Sequence, residues 1–312
     1  MIVNGYAYPS ISDETLQWWL ERLTWVSTFS YGLKGDGSLI NLDDERIIEQ
    51  ADKKGVRPMM VLAPMNEEGM FSEEEAVKIF NDRQAQKNLI ENICRNIRGK
   101  GMGGIDFDFE YISGQYADDY ARLVAETRKC LSPWGLLTTV ALAPKTSDNQ
   151  AGEIYEGHDY ARMGQAADYC LLMTYEWGYA YGPPMAVSPM KNVRQVIEYA
   201  ITRIPADKIL LGMNNYGYDW ALPWQEGQRA QTLTLQQAAD LAERYGAQII
   251  FDQEARAPYF EYTDEKGNDH IVWFENQQSW RERIALMEEY GLAGIGIWNI
   301  MEIFPGKVPG VI

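Results

Sequence analysis

Short apolar runs alternate with longer amphipathic ones along nearly the whole chain, and this rhythm narrows the possible folds more than any other feature of the sequence. Such alternation is what parallel strands crossed by helices produce. Apolar runs at 2–8, 24–29, 57–63, 103–111, 136–143, 168–175, 208–214 and 294–300 predict eight core strands. Helical periodicity predicts helices over 14–22, 44–54, 72–100 with a break, 114–130, 160–165, 190–204 and 276–290. The stretch KGDGSLINL at 34–42 reads as a loop or hairpin, with Gly35, Asp36 and Gly37 as turn residues. Strands this apolar, buried on both faces, belong in a closed parallel barrel. An open doubly wound sheet is the alternative, but no Gly-rich phosphate turn follows the first strand.

The expected architecture is therefore α/β, a single (β/α)8 TIM barrel over residues 1–312. Residues 220–273 break the rhythm, with one helix (235–245) and strand-like pieces at 248–251, 259–262 and 270–274. Asp264 to Gly267 reads as a hairpin turn between the last two. This segment is expected to be a small α+β insertion after the seventh strand. Only twelve residues follow Ile300, and they include two Pro and two Gly, so the last helix is expected to be short or missing.

A net charge of −17 excludes nucleic acid as a partner, because neutralising phosphates requires clustered Lys and Arg. It also disfavours binding to anionic membranes, and no run approaches the ~20 apolar residues of a membrane helix. The N-terminus begins directly with a strand pattern and lacks a basic n-region and an apolar h-region, so secretion by that route is not expected unless a leader has been removed. Three Cys at 94, 130 and 170 and only two His make a structural zinc site unlikely; no metal or other cofactor is expected. All three Cys read as small buried apolar residues rather than disulfides. His158 and His270 read as surface residues. The 10 Trp and 19 Tyr suit both an ordinary core and a groove that stacks on sugar rings.

The strongest chemical signal is Gly103-Gly-Ile-Asp-Phe-Asp-Phe-Glu-Tyr111. Alternate residues of a strand share a face. Asp106, Asp108 and Glu110 line one side, and Ile105, Phe107, Phe109 and Tyr111 the other. In a barrel the acidic set points into the lumen, with Glu110 nearest the C-terminal mouth where barrel enzymes place their chemistry. Three carboxyls on a buried face are costly unless they share protons or meet partners. Repulsion and desolvation raise at least one pKa, which yields the protonated carboxylic acid that general acid catalysis needs. A solvated acidic edge strand and a divalent cation site are the competing explanations; the apolar opposite face argues against the first and the lack of His against the second.

These residues resemble glycoside hydrolase family 18, the chitinase family, whose fourth barrel strand carries DGxDxDxE. Gly103 stands where the first Asp is usual. Met173-Thr-Tyr-Glu-Trp177 resembles the family's M-x-Y-D segment, with Glu176 in place of the Asp. Trp298 matches the tryptophan that floors the −1 sugar site. Within the family the chain resembles the catalytic domain of spore-cortex and peptidoglycan glucosaminidases, through Tyr175-Glu-Trp-Gly-Tyr-Ala-Tyr-Gly-Pro-Pro184 and Gly212-Met-Asn-Asn-Tyr-Gly-Tyr-Asp219. The resemblance implies a retaining, substrate-assisted hydrolase. It implies Glu110 as acid, Asp108 and Tyr175 orienting the substrate's acetamido group, and Asp106 beneath Asp108 sharing a proton with it. It also implies a peptidoglycan or chitin polysaccharide as partner, action as a monomer, and a spore- or wall-associated bacterial location, with the cytoplasm expected otherwise.

Around that set, Trp298 is either core or a sugar platform, and Tyr6 either reaches the mouth or is core. Asn214, Asn215 and Tyr216 follow the seventh strand, where the two Asn are turn formers or donors to sugar hydroxyls. Trp177, Tyr179 and Tyr181 cluster in a Gly-flanked loop, which favours ligand contact. Met173 and Glu176 complete the expected substrate contacts. Met65 reads as packing. The competing functions are a non-catalytic chitinase-like lectin, a metal-dependent hydrolase and a transglycosylase.

Overall fold

The computed structural model describes residues 1–65 and 71–308. Eight parallel strands close on themselves: β1 (Ile2–Ala7), β2 (Trp25–Leu33), β3 (Arg57–Leu62), β4 (Gly104–Phe107), β5 (Leu137–Leu142), β6 (Tyr169–Leu172), β7 (Ile209–Asn214) and β8 (Gly294–Trp298). Each pairs with its neighbours in chain order, and β1 pairs with both β2 and β8. The (β/α)8 expectation holds. The stretch at 34–42 is a hairpin, since Leu39–Ile40 folds back antiparallel on Gly32 and Leu33.

Helices α1 (Asp13–Leu20), α2 (Glu45–Lys54), α3 (Glu73–Asn81), α4 (Arg83–Lys100), α5 (Ala117–Leu131), α6 (Tyr160–Ala166) and α7 (Met190–Ala200) fill the crossovers. The break expected within 72–100 falls at Asp82, whose carboxylate accepts from the backbone of Gln84 (2.7 Å) and Ala85 (3.2 Å) and so caps α4. The lumen is packed by Trp25, Met59, Val61, Ala141, Leu171 and Leu210, a filled core beneath the mouth. No helix follows β8 among the described residues, and residues 309–312 lie outside them.

Beyond β7 the chain builds a second, antiparallel sheet. Its strands run in the order Gln231–Leu233, Gly217–Leu222, Asp269–Trp273, Ala257–Thr263 and Ile250–Asp252. The first two are absent from the strand pattern read in the sequence. Helix α8 (Leu235–Arg244) carries a reciprocal cap between Thr234 and Gln237. The chain then re-enters the barrel through α9 (Gln277–Glu289). There Arg283 meets Glu275 at 3.1 Å, with both side chains 1% exposed. Arg283 also donates to the Arg256 carbonyl at 3.1 Å, which tethers the second sheet to α9, and to the Ser279 carbonyl within α9 at 3.0 Å.

Two expectations are corrected. Cys94 and Cys130 are joined by a disulfide, because neighbouring helices α4 and α5 set their Cα atoms 6.7 Å apart; only Cys170 is a free buried thiol. His158 is buried, not on the surface. Its Nδ1 accepts from the Ala143 amide at 2.8 Å and its Nε2 donates to the Phe109 carbonyl at 2.9 Å. Burial holds its pKa down to about 4. His270 is also partly buried, 2.9 Å from an Asp219 oxygen.

Candidate active site

The regular pairing of β4 ends at Phe107, yet the alternation continues to Glu110. Ile105, Phe107 and Phe109 are fully buried on the helix side. Phe109 stacks on Tyr120 of α5 with centroids 5.1 Å apart. On the lumen side Asp106 is 1% and Asp108 7% exposed, and Glu110 is half-buried at the mouth. Tyr111 departs from the expected pattern. Its φ of 57° turns the chain out of the strand, and the side chain is 48% exposed instead of packing under the helices.

Asp106 is fixed from both sides. Tyr6 of β1 donates to Oδ2 at 2.6 Å, and Thr139 of β5 donates to Oδ1 at 2.5 Å. Burial outweighs these bonds and raises its pKa to about 6. Both oxygens of Asp106 accept from hydroxyls, which fixes the orientation of the carboxyl. Asp108 is held well above the usual carboxylate range by burial, then by the charges of Glu110 and Asp106. Its Oδ1 is buried without a partner. A buried acceptor left open is expensive, and such atoms recur where a ligand completes the bonding. Burial, followed by the nearby charge of Glu176, raises Glu110 to about 7. The Tyr175 hydroxyl is pushed up by burial and by Asp108 and Glu110, which places all three in one electrostatic neighbourhood.

These groups open into a cavity of about 690 Å³, lined among others by Asp108, Glu110, Met173, Tyr175, Glu176 and Trp298. Trp298 is wedged against Phe29 (centroids 4.9 Å), Tyr6 (5.8 Å) and Tyr8 (5.9 Å), edge to face. Its indole is therefore locked in orientation at the end of β8. Gly212 on β7 makes room for the tyrosine, since a Cβ there would lie 2.8 Å from Tyr175 Cε1. Glu176 follows in the left-handed region (φ 66°), and its carboxylate accepts from the hydroxyls of Tyr216 and Tyr218.

A second cavity of about 430 Å³ shares Tyr8, Glu176 and Trp298 with the first. It runs between the barrel mouth and the second sheet, past Tyr216, Tyr218, Thr234 and Gln237. The two adjoin at these three residues.

Among residues singled out in the sequence, Tyr6 lies beneath the cavity on Asp106 rather than in its wall. Asn214 is fully buried; it donates to the Tyr216 carbonyl at 2.9 Å and shapes the turn after β7. Its neighbour Asn215 lines the second cavity. Trp177 packs against the helix-side core and lines neither cavity. Tyr8, Phe29, Pro144 and Ile154 line the first cavity, and Thr139 and Tyr218 hold its carboxyls; the sequence reading overlooked all six. Two of them carried a readable signal, since Tyr8 and Tyr218 stand two residues from Tyr6 and Tyr216, the spacing that shares a side in extended chain.

Gly103 is explained locally, because a Cβ at this position would collide with Cγ of Arg57. Among the described residues no group of three His, Cys, Asp or Glu side chains converges to hold a metal ion, and no helix is long and apolar enough to cross a membrane.

Residues 11–302 match Glycosyl hydrolases family 18. The chain belongs to this family. It is 40% identical over 284 residues to the cortical fragment-lytic enzyme of Bacillus subtilis, covering 91% of the chain. The chain spans 66% of that enzyme's length. The crystal structure of the Bacillus cereus spore cortex-lytic enzyme SleL superposes with a TM-score of 0.94 at 36% identity, over 97% of this chain and 72% of that one. That of the putative sporulation-specific glycosylase ydhD from Bacillus subtilis gives 0.83 at 34% identity, over 88% of this chain and 90% of that one.

Proposed function

We propose that this family 18 chain is a retaining, substrate-assisted glycoside hydrolase. It cleaves the β-1,4 bond after N-acetylglucosamine in peptidoglycan of the spore-cortex type, with chitin-like polymers as the second substrate class. The carbonyl oxygen of the substrate's acetamido group attacks the anomeric carbon while the bond to the leaving oxygen breaks. Glu110 gives its proton to that oxygen. Asp108 and Tyr175 orient the acetamide and offset the charge that develops on it. Water then opens the oxazolinium ion, returning a proton to Glu110, and two inversions leave the configuration retained. Trp298 supplies the floor on which the sugar lies.

The observation that carries this reading is a pair of carboxyls in one cavity. Glu110 is poised near pH 7, and Asp108, one of whose buried oxygens has no partner, lines the same cavity as Tyr175 and Trp298. The choice of peptidoglycan rests on the relatives named for cortex lysis. A lectin has no use for a catalytic carboxyl held protonated at the mouth.

The test is digestion of N-acetylglucosamine oligomers, glucose oligomers of equal length and cortex peptidoglycan, with NMR of the nascent anomer. Cleavage of the N-acetylated substrates alone, with the β-anomer appearing first, is expected. Equal cleavage of glucose oligomers, or the α-anomer first, would refute substrate assistance.

A further inference from the structure

Both cavities are lined by acidic side chains, namely Asp108, Glu110, Glu176 and Glu302, and neither is lined by a Lys or Arg among the described residues. Exposed Arg229 sits over the Tyr181 ring at 6.0 Å and lines neither cavity. In the second cavity the remaining polar groups are neutral. Thr232, Thr234 and Gln237 come from the second sheet and the start of α8. Gln237 spends its carbonyl oxygen on the Thr234 amide at 2.9 Å, which leaves its NH₂ for a ligand. Asn215 is 4% exposed, and its Nδ2 donates to the carbonyls of Asn299 and Glu302, both at 3.1 Å. Its Oδ1 is buried without a partner.

From this we infer that the second cavity is a sugar subsite selective for an uncharged residue, and that it excludes a sugar carrying a free carboxylate. The inference rests on the hydrolase reading and names the substrate class within it. A hydroxyl or amide entering the cavity meets the Gln237 NH₂ and the hydroxyls of Thr232 and Thr234. A carboxylate entering it gives up its water, finds no cation in the lining, and faces Glu176 and Glu302. Glu176 stays fixed in the groove because Tyr216 and Tyr218 hold it there. The groove therefore accepts N-acetylglucosamine chains, or peptidoglycan whose acidic muramic side chains are masked as amides, and rejects muramic residues with a free lactyl carboxylate.

The test compares two oligosaccharides that differ only in charge. One carries N-acetylmuramic acid with its free lactyl carboxylate beside the cleaved N-acetylglucosamine, and the other carries the primary amide of that group. An N-acetylglucosamine oligomer serves as reference. At low salt and pH 7, kcat/KM for the acid should be at least tenfold below that for the amide, a difference of about 1.4 kcal/mol. Added salt should narrow the gap. Glu302→Arg supplies the missing cation and should raise the acid relative to the amide severalfold. Equal rates for acid and amide, preference for the acid, or refusal of both while the reference is cut would overturn the inference. Failure to cut the reference as well would instead defeat the hydrolase reading.

Discussion

The Tyr218 hydroxyl donates to Glu176 Oε1 at 2.9 Å, so a strand of the second sheet anchors a carboxylate of the barrel loop after β6. Glu176 adopts a left-handed backbone that favours glycine, and the surrounding bonds must hold it there. The position matters electrically. After burial, the charge of Glu176 is the next cause of the raised pKa of Glu110.

Glu176→Gln should therefore change the pH dependence. Glu110 must be protonated to act, so kcat/KM falls as pH rises through about 7. Removing the neighbouring negative charge makes ionised Glu110 less costly and lowers its pKa. The basic limb of the profile should move to lower pH, as measured on N-acetylglucosamine oligomers. An unmoved limb would show that Glu176 does not act on Glu110 electrostatically.

Asp108→Asn should stabilise the fold at neutral pH while reducing turnover. The folded pKa of Asp108 is raised, so the folded state holds a proton that the unfolded chain has released. Stability from such a group is complete below the unfolded value near 3.8 and is lost as pH rises through the folded value. For Asp106 that window runs from 3.8 to about 6, and Glu110 extends it from 4.5 to about 7. At pH 7.5 the Asn variant should melt about 2 °C or more above the parent, with the gain shrinking toward pH 4. A variant less stable at pH 7.5 would mean that the ionised carboxyl is well partnered.

The barrel and its acidic row were legible because both rest on strict local periods. Alternation by two put Asp106, Asp108 and Glu110 on one face, and the same rule exposed the apolar set opposite. What escaped depended on chain-distant neighbours. Strands 217–222 and 231–233 are short, partly polar and antiparallel; the first pairs with Asp269–Trp273 about fifty residues away, and the second is the edge strand laid on the first. His158 is polar by sequence and buried only because the Ala143 amide and Phe109 carbonyl meet both ring nitrogens. Tyr111 kept the apolar alternation in sequence, but a left-handed turn at that residue ends the strand face. Trp177 was grouped with its loop neighbours, yet it turns inward where Tyr179 and Tyr181 turn out.

The Cys94–Cys130 bridge predicts a thiol count. Chain denatured without reductant should titrate one thiol, Cys170, and three after reduction. Three thiols without reductant, in protein purified under oxidising conditions, would contradict the bridge.

The most direct measurement concerns Glu110. Glu110→Gln keeps the side chain's shape and removes the transferable proton, so the thermal unfolding midpoint and the affinity for N-acetylglucosamine oligomers should stay close to the parent's. Turnover of the same oligomers should fall by about 10²–10⁴-fold. A variant that binds, folds and still cleaves at near-parental rate would contradict the assignment of Glu110 as the acid.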